Sequence, residues 1–256
     1  MGYESIGFAI EAGAATLTLR RPPLNVLNIP MMLEIVDALE HGLGSRHDWK
    51  VLVIRAEGKA FSAGVDVGEH LGETGRRMID AFHRIFRQLN DVPLPIVGAV
   101  EGAALGGGCE LAAMCDFVVA SRTATFGQPE IRLGVFPPVA AVVFRRKLAA
   151  TNALDLLLTG RTVDAVEAQR MGLVTRVVEP GQVDAEAKAL CAELLKLSRA
   201  ALRATKQAYR TREEDDFGFD LRTVEKRYLR HLFTSPDAEE GLRAFLEKRP
   251  PRWKDE

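Results

Sequence analysis

The most constraining feature of this chain is a short apolar run that opens into a glycine-rich segment and then a helix. Residues 96–100 read IVGAV, and residues 102–110 follow as GAALGGGCE. Such a run is typical of a strand buried on both faces of a parallel sheet. Successive glycines let a ligand approach the main chain, and free N–H groups at a helix start favour negative charge. The pattern predicts an α/β fold with a binding site at this turn, although a tight turn packed on a neighbouring strand would look the same.

Strand-like and helix-like patterns alternate through the first 120 residues. The strand-like segments are residues 8–10, 15–19, 51–54, 96–100 and 117–120, and the first two are expected to pair as a hairpin across the Ala12-Gly13 turn. Asn28 is expected to start a helix whose apolar positions lie on one face. An amphipathic helix is predicted near residues 75–90, and beyond about residue 139 the pattern is mostly helical, with one strand-like interruption at 173–178. This order predicts an α/β core over residues 1–195 and a C-terminal helical region over residues 196–256.

Composition places the chain among ordinary globular proteins. Its 256 residues are 47% hydrophobic and 27% charged, and the net charge of -1 gives no overall attraction to nucleic acid or anionic membrane. The three cysteines lack CxxC spacing, which favours reduced thiols. The longest apolar run, residues 133–144, is too short for a bilayer, and no secretory signal is visible. These features predict a soluble, cytoplasmic protein.

Two glutamates are the strongest candidates for chemistry. Glu110 follows the glycine run, and Glu130 lies in the segment FGQPEI, residues 126–131. Carboxylates in apolar surroundings are costly unless paired, metal-bound or neutral, so they are functional candidates. The alternatives are a solvated helix residue for Glu110 and a helix cap for Glu130.

Other chemistries have less support. A Ser62–His70–Asp66 hydrolase is conceivable, but Ser62 is not at a GxSxG elbow. The histidines show no paired-ligand spacing, so no metal site is expected. His83 and His231 are interpreted as ordinary helix-surface residues.

Three segments, in order, resemble the signature blocks of the crotonase (enoyl-CoA hydratase/isomerase) superfamily. They are AFSAGVD (60–66), EGAALGGGCELAAMCDFVVA (101–120) and FGQPEIRLGVFP (126–137). Weaker similarity covers residues 21–28, 158–178, 203–208 and 245–249. The resemblance implies a spiral of ββα units with a C-terminal helical region that drives assembly into a homotrimer or a dimer of trimers.

The same resemblance assigns roles to individual residues. Glu110 and Glu130 match the catalytic pair of the hydratase branch, which adds water to an α,β-unsaturated acyl-CoA thioester. The backbone N–H groups of Val65 and Gly107 would form an oxyanion hole. Coenzyme A would be part of the substrate, with no separate cofactor. The residues implied along the coenzyme A path are Ala63, Val65, Val67, Phe245 and Lys248, the last two facing an adjacent subunit; a solvated helix end would explain Lys248 equally well.

Three departures from the family pattern bear on the substrate. Gly68 stands where hydratases often carry a lysine near the coenzyme A phosphates, and Val65 is bulkier than the frequent alanine. Residues 134–141, GVFPPVAA, replace the usual glycine-rich stretch. Proline fixes φ and branched side chains stiffen χ1, so this wall of the acyl pocket is predicted to be rigid. Together with residues 21–28, it makes the chain most similar to the cyclohexa-1,5-diene-1-carbonyl-CoA hydratases.

Two other functions stay open at this point. One is a different enzyme of the superfamily, either an enoyl-CoA isomerase or a general short-chain enoyl-CoA hydratase. The other is a non-catalytic RNA-binding relative, suggested by basic residues on one predicted helix. These are Arg199, Arg203, Lys206, Arg210 and Arg212. A solvated or subunit-facing helix, balanced by the acids at 213–216, explains the basic residues better.

Overall fold

The main sheet carries most of the predicted strands. The computed structural model describes residues 2–44, 48–210, 217–233 and 235–254. Within them the main sheet has the strand order β1-β2-β3-β5-β7-β10. Its strands are β1 (Ile6–Glu11), β2 (Ala14–Leu19), β3 (Val51–Ala56), β5 (Ile96–Val100), β7 (Phe117–Ser121) and β10 (Arg176–Val178). β1 and β2 form the predicted antiparallel hairpin, and every later pair is parallel.

A second sheet runs beside the first, in the order β4-β6-β8-β9. Its strands are β4 (Ala60–Ser62), β6 (Ala103–Leu105), β8 (Thr125–Gly127) and β9 (Thr162–Asp164). Each is three residues long, too short for periodicity to reveal, so the sequence interpretation assigned none of these segments to a strand. Three successive strand pairs contribute their first strand to the main sheet and their second strand to the second sheet before the next helix begins. They are β3–β4, β5–β6 and β7–β8. This repeated ββα order is the predicted spiral.

Helices cover the sheets and form the C-terminal part of the described chain. They are α1 (Ile29–Asp37), α2 (Gly72–Asp91), α3 (Gly107–Met114), α4 (Pro138–Lys147), α5 (Ala150–Thr159), α6 (Ala165–Met171), α7 (Val183–Leu195), α8 (Arg199–Arg210), α9 (Phe217–Arg227) and α10 (Pro236–Leu246). Asn28 caps α1 by accepting from Met31 N at 3.2 Å, as its position before the apolar stripe predicts. Asp164 caps α6, and Gly172 ends it in the left-handed conformation.

The main core lies between the sheets and helices α1 to α5. Phe82, Ile85 and Phe86 of α2 are buried there, and a smaller apolar cluster fills the space between the other sheet face and α7. Helices α9 and α10 pack on α4 and on the 3-10 turn Pro129–Leu133. The boundary between residues 195 and 196 falls where α7 ends, and the division into two regions stays a prediction.

One interpretation from the sequence is wrong. His83 does not lie on a helix surface: its side chain is fully buried, and Nδ1 lies 2.6 Å from Glu225 Oε2. The contact joins α2 to α9, 142 residues apart in sequence, so no local pattern could predict it. The side chain of His231 lies outside the described residues. No helix in the described ranges has the length and apolarity to cross a membrane.

Candidate active site

The glycine run lets the Glu130 carboxyl approach the start of α3, the helix that carries Glu110. β6 ends at Leu105, and Gly106 turns the chain into α3 with φ 51° and ψ -126°, a conformation that favours glycine. A Cβ at Gly106 would lie only 2.6 Å from Oε1 of Glu130. The absent side chain is therefore what allows the Glu130 carboxyl to reach the start of α3.

Glu110 is held deep in the protein by a backbone donor. It lies in the first turn of α3, is 2% exposed, and accepts a hydrogen bond of 2.7 Å from the Ala140 N–H of α4. Burial raises its pKa to about 7, opposed by the N–H groups of Ala140 and Val139. The carboxyl therefore titrates near neutrality, where it can accept or donate a proton.

Glu130 meets the same cavity from the other side of the glycine turn. It lies on the turn that follows β8, and it is half-buried. Burial raises the pKa of its carboxyl, and the negative charge of Glu110 raises it further. With Gln128 oriented to satisfy its neighbours, its amide nitrogen lies 3.2 and 3.1 Å from the two Glu130 oxygens. Two like charges in one apolar site favour a state in which the pair holds one proton.

Two backbone amides beside the carboxyls are free to bind an oxygen. Val65 and Gly107 are neighbours, since a Cβ on Gly107 would lie 2.9 Å from Val65 Cγ2. Neither N–H donates to a described protein group, whereas the adjacent amide of Asp66 donates to the Leu27 carbonyl at 2.9 Å. Gly107 is also the first residue of α3, where the helix dipole favours negative charge. The pair has the character of an oxyanion hole.

These groups line one cavity of about 500 Å³ with largely apolar walls. The predicted residues Ala63, Val65, Val67, Glu110, Glu130 and Gly107 all line it. Of the stiff wall predicted over residues 134–141, Val135, Phe136, Pro137 and Pro138 line the cavity. The structure therefore brings the candidate carboxyls and amides into one space.

The C-terminal candidates are placed differently. Phe245 lines the cavity of its own chain and is 55% exposed. Lys248 is exposed and does not line the cavity. Arg249 and Arg132 do line it. These arginines, with Gln128 and Tyr228, are site residues that the sequence interpretation missed. Gln128 and Arg132 carried a signal, because both stand within the quoted block 126–137.

Two alternative interpretations lose support from the structure. Ser62 is buried, and its hydroxyl donates to the Asn25 carbonyl at 2.8 Å, while His70 Nδ1 lies 3.0 Å from the Asp66 backbone oxygen. They form no nucleophile–base pair. In the described part of the chain, no three His, Cys, Asp or Glu residues cluster as metal ligands would.

The basic helix does not form a continuous nucleic-acid surface. Lys206 is 9% exposed, and it donates to the Leu94 carbonyl at 2.7 Å and to Asp116 Oδ2 at 2.5 Å. Arg199 donates to the Trp49 carbonyl, so it also binds the core. The expectation of a solvated helix is therefore wrong for Lys206, and Arg212 lies outside the described residues.

Comparison with known proteins agrees with this geometry. The family model described as enoyl-CoA hydratase/isomerase matches residues 9–256. A probable enoyl-CoA hydratase of Mycobacterium leprae is 41% identical over 255 residues, covering 98% of this chain and 95% of that protein. A cyclohexa-1,5-dienecarbonyl-CoA hydratase of Thauera aromatica is 38% identical over 242 residues, covering 93% and 92%. A crystal structure of an enoyl-CoA hydratase from Mycobacterium avium subsp. paratuberculosis has a TM-score of 0.88 at 28% identity, covering 99% and 100%.

The ββα spiral and its cavity with paired carboxyls define an enzyme of the crotonase fold. The chain belongs to the enoyl-CoA hydratase/isomerase family, and it is a hydro-lyase of the enoyl-CoA hydratase type. The fold and family predicted from the three sequence blocks are confirmed.

Proposed function

We propose that this enzyme adds water across the C=C bond of an α,β-unsaturated acyl-CoA thioester, with Glu110 and Glu130 as its catalytic residues. The observation that carries the proposal is the convergence of one buried and one half-buried carboxyl on one apolar cavity, beside two amides that donate to no described protein group. Either feature alone occurs in many proteins. Together they match the charge and proton movements of hydration.

The amides of Val65 and Gly107 act on the thioester oxygen. As water attacks the β carbon, the C=C electron pair moves toward the carbonyl and leaves negative charge on that oxygen. Two preorganised donors stabilise this charge, with removal of such a donor costing about 3 to 4 kcal/mol in comparable sites. Both are backbone groups, so their position depends on the glycine turn.

The carboxyl pair moves the protons. The ionised member takes a proton from water as the C–O bond forms at the β carbon. The protonated member delivers its proton to the α carbon of a simple enoyl thioester, or to the far end of the diene in the 1,4-addition expected for a cyclic dienoyl thioester. In either case the enolate collapses to the hydroxyacyl thioester. The pair again holds one proton after the cycle, and the raised pKa of Glu110, about 7, matches this exchange.

Within this reaction we propose a cyclic substrate, cyclohexa-1,5-diene-1-carbonyl-CoA. The support is the stiff wall at Phe136, Pro137 and Pro138, which suits a compact ring better than a flexible chain. The similarity to the Thauera aromatica protein points the same way, whereas the more similar mycobacterial protein is named only as a hydratase.

A spectroscopic comparison of acyl-CoA thioesters tests the substrate. We expect kcat/KM for the cyclic dienoyl-CoA to exceed that for crotonyl-CoA. A preference for crotonyl-CoA would refute the cyclic substrate and leave a general short-chain hydratase. Reaction in ¹⁸O-labelled water separates hydration from isomerisation, because only hydration places stable label on a carbinol oxygen.

We also propose binding and assembly roles that follow from the family. Ala63, Val65 and Val67 would bind the coenzyme A moiety along the loop after β4, with Phe245 at the cavity mouth; Lys248 would contact coenzyme A only if an adjacent subunit brings it there. A homotrimer or a dimer of trimers would cover exposed apolar side chains such as Leu154 and Leu158 of α5, which are 53% and 66% exposed. Light scattering of the purified protein would measure the assembly. We propose the cytoplasm as its location because three buried cysteines are unpaired thiols.

A further inference from the structure

A third polar group opens onto the reaction cavity beside the two carboxyls. Tyr228 follows α9 in the helical turn Tyr228–Leu232, and it lines the cavity although it is only 1% exposed. Its ring is fixed by Phe136, with centroids 5.3 Å apart in an edge-on contact, and by Phe233 at 5.8 Å. The side chain is therefore preorganised rather than free to turn away.

The Tyr228 hydroxyl is buried without a hydrogen-bond partner in the described part of the chain. It forms no hydrogen bond with any described residue, yet it is not among the sealed polar atoms of the described core, such as Trp49 Nε1. It therefore faces the cavity. A buried hydroxyl without a partner costs free energy, and a site that keeps one is built to satisfy it with a ligand or water.

Tyr228 lines the same cavity as Glu110 and Glu130, which places its hydroxyl near the reacting groups. Burial raises the pKa of Tyr228, and the charges of Glu130 and Glu110 raise it further. The phenol therefore keeps its proton throughout the working pH range and acts as a neutral donor. No hydrogen bond among the described residues links it to either carboxyl, so the donor is available to an oxygen atom that enters the shared cavity.

We propose that Tyr228 is a third catalytic residue, whose hydroxyl donates a hydrogen bond to the oxygen that is water before the reaction and the product hydroxyl after it. This inference rests on the proposed hydration. Water loses one proton to a carboxylate as its oxygen bonds to the β carbon, and Tyr228 retains its own proton. In the reverse direction the same hydrogen bond assists departure of the hydroxyl as the C–O bond breaks.

The Tyr228→Phe variant tests the proposal through ligands that differ by one oxygen. The hydroxyacyl-CoA product carries the bonded oxygen, whereas saturated butyryl-CoA does not. We expect Tyr228→Phe to raise KM for the hydroxyacyl-CoA and to lower kcat for hydration, each by about 10-fold, the value of one hydrogen bond. The inhibition constant of butyryl-CoA should stay within about 2-fold, since no contact to it is lost.

The other two tyrosines provide matched controls. Tyr3 donates to Asp37 Oδ2 at 2.8 Å, so Tyr3→Phe should lower stability and leave kinetics unchanged. Tyr209 is 85% exposed, and Tyr209→Phe should change neither. Tyr228→Phe should keep or raise the melting temperature, because it removes an unpaired buried hydroxyl. A purely structural tyrosine would show the opposite pattern.

Each result decides the proposal. Unchanged kcat and hydroxyacyl-CoA KM in Tyr228→Phe would overturn it, as would equal weakening of butyryl-CoA and hydroxyacyl-CoA. If the wild type hydrates no enoyl-CoA, the proposed function fails instead. The binding comparison between the two thioesters would then still show whether Tyr228 contacts a hydroxyl.

Discussion

Two regions of this protein bury charged side chains. In one the neighbouring charges have the same sign and add to the cost of burial, and in the other they have opposite signs and offset it. At the cavity, Glu110 and Glu130 are like charges, so burial and repulsion push both pKa values up. Where α8 meets the sheet, Lys206 and Asp116 are opposite charges 2.5 Å apart. Lys206 also donates to the Leu94 carbonyl, so that region satisfies its buried polar groups.

The difference shows which buried charges the protein uses for chemistry. The Lys206–Asp116 pair stabilises the attachment of α8, and neither side chain lines the cavity. The two glutamates share one proton between them, and both line the cavity. Buried carboxyls whose cost is not offset by an opposite charge are the signature of a reactive site.

The strongest way to break this comparison is to remove the charge of each glutamate without changing its shape. Glu110→Gln and Glu130→Gln should each lower kcat by at least about 100-fold, because each removes a proton acceptor or donor. The initial rate of enoyl-CoA hydration measures the loss. Glu57→Gln is a matched surface control, since that side chain is 48% exposed in an ion pair with Arg20. Full activity in both cavity variants would contradict the catalytic assignment.

Stability should respond to pH differently in the wild type and in Glu110→Gln. Below about pH 4.5 the Glu110 carboxyl is protonated in both the folded and the unfolded chain, so its raised pKa does not lower the free energy of unfolding. As pH rises toward 7 the unfolded chain loses this proton first, and the wild type loses stability relative to Glu110→Gln. The shift to about 7 corresponds to roughly 3 kcal/mol between pH 4.5 and 8. Urea unfolding at both pH values measures it, and parallel pH dependences would contradict the raised pKa.

Removing one partner of the Lys206–Asp116 pair should lower the stability of the fold and leave catalysis unchanged. Lys206→Met should lower the free energy of unfolding by about 2 kcal/mol, less than is usual for a buried pair, because Asp116 stays 27% exposed. Asp116 also keeps the Ile96 N–H donor at 2.8 Å. The folded fraction should retain normal kcat. Arg203→Met, on the exposed side of the same helix, is the control, and an equal loss of stability there would show that the pair contributes nothing.

The sequence predicted the parts of this fold whose physics is local. The hairpin of β1 and β2, the buried strand β5 and the Asn28 cap each depend on residues a few positions apart. The three-residue strands of the second sheet were missed because they exist only through pairing with distant strands. Short strands have too few positions for a period to be visible.

The same limit of local sequence patterns separates the site residues that were predicted from those that were missed. Glu110 and the glycine run were found because they form one continuous motif, and Glu130 came from a resemblance that linked three blocks. Tyr228 and Arg249 were missed, because they reach the cavity from the helical turn after α9 and from the bend after α10, each more than 90 residues further along the chain than the carboxyls. Lys206 was misread as solvated because its partner Asp116 is 90 residues away. Charge on one helix does not reveal what lies opposite it.

The smallest expected effect concerns Gln128, which gives the glutamate pair its only side-chain donor among the described residues. Its amide nitrogen faces both oxygens of Glu130, at 3.2 and 3.1 Å, and so favours the ionised carboxylate. Gln128→Met keeps the volume and removes the donor, so the pair should hold its proton to higher pH. We expect the acid limb of the pH–kcat profile to move upward and kcat at pH 7 to fall by about 10-fold, the value of one hydrogen bond to a charged group. Raising the pH should recover part of the loss, because it ionises the carboxyl that Gln128 no longer assists. A lower kcat with an unmoved profile would mean that Gln128 does not set the pKa of the pair. The glutamate pair would then differ from Lys206–Asp116 in having no side chain among the described residues that stabilises its charge.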